Sequence, residues 1–81
     1  MTRVLLFGRL SEVAGWREHV IDPPPATLSA LRALIAARWP DLAVALQGPG
    51  VQAAVNQGLV RGDIALASGA EVAFLPPMSG G

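Results

Sequence analysis

Apolar and polar positions along the chain change rhythm several times, and each change marks an element. The stretch "RVLLFG" (residues 3–8) is an apolar run closed by glycine, which predicts a strand. In a strand Val4 and Leu6 point to one face and Leu5 and Phe7 to the other, so both faces are apolar. "RLSEVAG" (residues 9–15) predicts a short helical turn, with Ser11 as its cap and a glycine to break it. "WREHVID" (residues 16–22) alternates as a second strand, placing Trp16, Glu18 and Val20 on one side and Arg17, His19 and Ile21 on the other. The short separation predicts that these two strands pair antiparallel.

The rhythm then becomes helical. Three prolines (residues 23–25) force an extended entry, and Thr27 supplies an N-cap oxygen. Leu28, Leu31, Leu34, Ile35 and Trp39 follow at helical spacing, with alanines between them, until Pro40. This predicts a rod of about 18 Å with one apolar stripe, enough to cross a small sheet. Residues 41–50 read as a helical turn dissolving into a Gly-Pro-Gly loop. "VQAAVNQ" (residues 51–57) predicts a third strand, and Asn56-Gln57-Gly58 carries turn chemistry. Residues 59–66 form a short, irregular strand with a Gly-Asp turn. Residues 67–75 end in a last strand, with Val72 and Phe74 on one face and Ala73 and Leu75 on the other.

The predicted order is strand, strand, helix, strand, short strand, strand. That is an α+β β-grasp layout, a mixed sheet of four to five strands with one main helix packed across it. The domain spans residues 1–75 and an extended tail residues 76–81. The last strand is placed in parallel beside the first. One apolar pair, Leu5 with Phe7 or Val4 with Leu6, must then lie on the face opposite the helix. It is exposed for a partner there unless the loop of residues 41–50 covers it.

Composition narrows the function. The chain has 81 residues, six basic and six acidic, for a net charge of zero, which argues against a nucleic-acid groove. A domain of this size buries only about 60–65% of the surface its unfolded chain exposes. There is no cysteine, so no disulfide or thiolate metal site supports the fold, and the expected compartment is the cytoplasm. No lysine is present either, which removes Schiff-base chemistry. No apolar stretch approaches the ~20 residues of a membrane span. His19 stands without an acidic or cysteine partner at useful spacing and reads as a solvated strand residue, not a base or metal ligand. The serines lack a nucleophile-elbow context, and the glycine loops lack the lysine and following helix of a phosphate loop. The domain body reads as a scaffold that binds no cofactor and no metal.

Chemistry is left to the end of the chain, "PPMSGG". Pro76 and Pro77 cannot continue a strand ladder and favour an extended exit. The four residues that follow reach up to about 14 Å. Two residues without side chains can enter a narrow channel, and they carry the α-carboxylate of Gly81. Adenylation by ATP would make that carboxylate an acylating agent, open to an amine or to a sulfur donor. By itself a Gly-Gly end also fits a frayed terminus.

The segments "VLLFGRLSEVAG", "TLSALRALIAARWP", "AAVNQGLV" and "GAEVAFLPPMSGG" together resemble the MoaD/ThiS family of sulfur carriers, in its molybdopterin synthase branch. The resemblance spans the whole chain and implies a ubiquitin-like β-grasp. It implies that Gly81 is adenylated by a ubiquitin-activating-like adenylyltransferase using ATP. A sulfur donor protein then converts it to a thiocarboxylate, which supplies the dithiolene sulfur of molybdopterin in molybdenum cofactor biosynthesis. The implied partner is the large subunit of molybdopterin synthase, in a heterotetramer of two small and two large subunits, so this chain alone has no turnover. Carried over by position, Gly80 and Ser79 thread the partner's channel, and Pro76, Pro77 and Met78 line the docking groove. Phe7, Leu59 and Phe74 make apolar contacts to partners. Three alternatives stay open: a sulfur carrier for thiamine thiazole synthesis, a ubiquitin-like protein modifier, and an interaction domain with an inert tail.

Overall fold

A computed structural model describes residues 1–77 of the chain. Eight elements follow in order: β1 (Thr2–Leu6), α1 (Arg9–Ala14), β2 (Glu18–Ile21), α2 (Leu28–Arg38), α3 (Pro40–Leu46), β3 (Gln52–Val55), β4 (Gly58–Val60) and β5 (Glu71–Leu75). The strands form one mixed sheet in the order β2-β1-β5-β3-β4. β1 pairs antiparallel with β2 and parallel with β5, while β3 runs antiparallel to both β4 and β5. The last strand thus lies beside the first, as the strand order predicts.

All the helices lie on one side of the sheet. The stripe on α2 buries Leu28, Leu31 and Ile35 completely against Val4, Ile21, Val72 and Phe74 of the sheet. Each such side chain contributes roughly 1.5–3 kcal/mol of apolar burial. Leu42 and Leu46 of α3 and Leu10 of α1 complete the same core. Residues 41–50 are therefore mostly a helix packed beside α2, not a cover for the opposite face.

Local chemistry sets the boundaries. The side chain of Thr27 caps α2 by accepting from the Ala30 amide at 3.1 Å. Pro40 both ends α2 and opens α3, where its missing amide hydrogen is not needed. In α1 the N-cap is Gly8, and Ser11 lies inside the first turn, its hydroxyl donating back to the Gly8 carbonyl at 2.7 Å. Ser11 is thus not the cap, because the helix starts three residues earlier than its hydroxyl suggested. The β3–β4 hairpin turns through Asn56 and Gln57, both at positive φ (49° and 72°). That is the primed-turn geometry of two-residue hairpins.

Between β4 and β5 the chain clamps the start of α2. Asp63 accepts from the Ser29 amide and the Ser29 hydroxyl, both at 2.8 Å. The Leu28 amide donates to the Ile64 carbonyl, and Thr27 bridges to Ala65. His19 also sits elsewhere than expected. Val4 is its strand partner on the core side, and its half-buried ring lies 5.2 Å from Trp16 and 4.9 Å from Trp39. Trp16 precedes β2 and escapes the alternation, so the three rings meet at the sheet edge in place of a solvated histidine.

Candidate functional site

The face of the sheet opposite the helices carries a continuous row. Strand register aligns Glu18, Leu5, Ala73, Ala54 and Leu59 across all five strands. Four of these five are apolar. Leu59 is 64% exposed and Phe7, just past β1, is 46% exposed. Leu75 lies two residues beyond Ala73 on the same face, level with Gln52. One end of the face is polar, where Arg3 reaches Glu18 at 3.0 Å and Glu71 at 3.4 Å. Its hydrogen bond and charge attraction to Glu18 hold the guanidinium above its already high range. Pairs this exposed add little stability, so they serve to frame the apolar row.

Two of the three expected apolar contact residues belong to this surface, and the third does not. Phe7 and Leu59 are on it. Phe74 is fully buried, its ring beneath Arg32 of α2 with the guanidinium carbon 5.1 Å from the ring centroid. Strand alternation explains the correction: Val72 and Phe74 face the helix, so Ala73 and Leu75 are what β5 offers to the open side. Ala73 and Leu75, both half-buried, and Ala54, buried at the centre of the row, are the residues of this face that the expected contacts leave out. The signal for them is the pairing of two apolar faces in β1, which only strand register extends across the sheet.

Pro76 and Pro77 follow β5 directly and end its ladder, Pro76 half-buried and Pro77 exposed. They form one wall of a shallow apolar groove of about 390 Å³, whose other walls include Leu10 and Val13 of α1 and Val44 of α3. Met78, expected to dock, Ser79 and Gly80, expected to thread a partner's channel, and Gly81, expected to react, lie outside the described residues. No helix among the described residues is long and apolar enough to cross a membrane.

A five-stranded sheet with a parallel β1–β5 centre and a helix laid across one face is the ubiquitin-like β-grasp, here with a bare second face and a proline-led exit. Within that class the chain belongs to the ThiS family, whose description matches residues 4–81. It is 41% identical over 81 residues, the whole of both chains, to the molybdopterin synthase sulfur carrier subunit of Escherichia coli strain K12. The protein of the same name from Haemophilus influenzae is 33% identical over the same full lengths. Among solved structures it resembles SAMP1, the small archaeal modifier protein of Haloferax volcanii, with a TM-score of 0.85 and 29% identity. That likeness covers 99% of this chain and 98% of the other.

Proposed function

We propose that this protein is the sulfur-carrier small subunit of molybdopterin synthase. Gly81 is its working residue, adenylated at the carboxylate and then converted to a thiocarboxylate. In the first step a carboxylate oxygen attacks the α-phosphorus of ATP and pyrophosphate leaves. In the second, sulfur from a donor protein displaces AMP at the acyl carbon. The thiocarboxylate then gives up its sulfur to form the molybdopterin dithiolene in the large subunit. The observation that carries the reading is full-length identity of 41% to a carrier of that name.

The fold supports the division of labour. The open row of Leu5, Ala73, Ala54 and Leu59, with Phe7 and Leu75, offers an apolar docking face for the adenylating enzyme and the large subunit. Serving both through one face requires that they bind in turn. Ser79 and Gly80 are slender enough to follow Gly81 into a channel, and Pro76, Pro77 and Met78 form the base of the tail. No cofactor is needed on this chain, because ATP is consumed at the adenylating partner.

Reconstitution tests the reading. The thiocarboxylated chain, mixed with large subunit and the cyclic pyranopterin precursor, should return to the carboxylate as dithiolene forms. Retained sulfur under those conditions, with transfer instead to a thiazole synthase, would assign it to thiamine synthesis. The likeness to an archaeal modifier gives the other alternative a specific basis. Covalent adducts between Gly81 and lysines of many proteins would establish that reading in place of sulfur transfer.

A further inference from the structure

Five glycines among the described residues sit at positive φ, but two of them meet something that the others do not. Gly8 (φ +56°) follows β1, and a Cβ built on it would stand 3.2 Å from Cγ of Pro76. Gly50 (φ +80°) lies just before β3, and its Cβ would stand 2.7 Å from Cβ of Pro77, closer than carbon atoms approach. Gly62 and Gly69 adopt the same left-handed region (φ +73° and +84°) with nothing within 4 Å. Backbone freedom alone accounts for Gly62 and Gly69. At Gly8 and Gly50 there is a second constraint, the close approach of a proline ring.

The arrangement is built around β5. Its two neighbours in the sheet are β1 and β3, and each has one of these glycines at the end nearest the exit of β5. Each neighbour therefore offers one residue without a side chain to one of the two prolines that follow. Proline fixes its own φ, and consecutive prolines form a stiff, extended unit. Holding both rings sets where the chain stands at residue 77 relative to the sheet.

We propose that Gly8 and Gly50 are positioning residues for the C-terminal tail, forming a seat for Pro76 and Pro77 from which the terminus is presented to partners. This rests on the sulfur-carrier reading, because delivery of Gly81 into another protein is what needs a fixed point of departure. Neither glycine acts on the carboxylate itself. A seated base reduces the ordering that each partner must otherwise impose on the tail. Misplacement of a reacting group by about 1 Å can cost on the order of a hundredfold in rate.

The test compares Gly50→Ala with Gly69→Ala, which share the backbone penalty and differ in the proline contact. Both should lower the melting temperature, Gly50→Ala by at least as much as Gly69→Ala, since it adds the contact with Pro77. With the adenylating partner and ATP, monitored by pyrophosphate exchange below all melting points, only Gly50→Ala should slow activation, by about tenfold or more in kcat/KM. Gly8→Ala, with the looser contact, should fall between them. Replacing Pro77 by Gly removes the clashing Cβ, so the effect of Gly50→Ala on activation should shrink in that background, whereas the backbone penalty at position 50 is the same with or without Pro77. Equal slowing by Gly50→Ala and Gly69→Ala, or an effect unchanged by Pro77→Gly, overturns the proposal while leaving sulfur carriage intact. If the unaltered chain supports no exchange at all, the carrier reading itself fails and takes this inference with it.

Discussion

Leu59 gives 64% of its surface to solvent, while Phe74, two strand-pairings away in the same sheet, gives none. Both are large and apolar, so hydrophobicity does not separate their roles; the side of the sheet does. Leu59→Asp should leave stability within about 0.5 kcal/mol, since an exposed side chain away from any buried feature contributes little to folding. It should nonetheless abolish capture of the large subunit in a pull-down. Phe74→Ala should cost about 3–5 kcal/mol in chemical denaturation by opening a cavity under α2. If the Phe74 variant kept full stability and lost only partner binding, its placement in the core would be wrong. The choice of Phe74 over Leu75 as a contact residue shows where single-residue reading stops. The alternation of Val72, Ala73, Phe74 and Leu75 was visible in the sequence, but which parity faces the helix depends on pairing with β1 and β3.

At the scale of elements, two local devices make distinct predictions. Gln57 holds a left-handed φ of 72° in a hairpin turn whose second central position favours glycine. Gln57→Gly should therefore stabilise the domain by about 1 kcal/mol, the order of the strain relieved, seen as a higher midpoint in thermal melts. The second device is the Asp63 clamp on α2. Hydrogen bonds from the Ser29 amide, then the Ser29 hydroxyl, hold the Asp63 carboxyl below its usual range. A carboxyl depressed in the folded state adds stability above its unfolded pKa of about 3.9 and loses it as pH falls through the folded value. Asp63→Ala should accordingly lower the melting temperature at neutral pH, and the difference from the parent should close at strongly acidic pH. A gap that persisted there would mean that the carboxylate charge is not what holds the clamp.

These elements also show how far the sequence could be read. The span of α2, its Thr27 cap and its stop at Pro40 follow from residues that act within one or two turns, so pattern alone located them. The helix α3 was harder, because "DLAVAL" is too short to show a full period and its anchors, Leu42 and Leu46, declare themselves only against α2. The meeting of Trp16, His19 and Trp39 was illegible for a related reason. Their proximity comes from the sheet edge crossing the end of α2, not from any sequence spacing.

For the whole molecule, the proposed function puts recognition on the open sheet face and chemistry on the tail. Among the described residues the interior is apolar apart from Thr2, and the open face carries an apolar row with an ion-paired end. A domain of this size can devote one sheet face to folding and leave the other for partners only because a single helix layer closes its core. Of the six residues from which the tail is predicted, Pro76 and Pro77 lie against Gly8 and Gly50 at the end of β5. The glycines that seat them looked like ordinary turn residues in sequence, since nothing in "FGRL" or "GPGV" names the distant proline each one meets.

Under the proposed function Gly81 carries sulfur. Intact-mass spectrometry of the chain, after incubation with adenylating enzyme, ATP and a sulfur donor, tests it most directly. The expected result is a gain equal to the exchange of one oxygen for one sulfur, located by fragmentation at Gly81 and absent when Gly80 and Gly81 are deleted. A chain that is only ever recovered unmodified, or that stops at the adenylate, would contradict it.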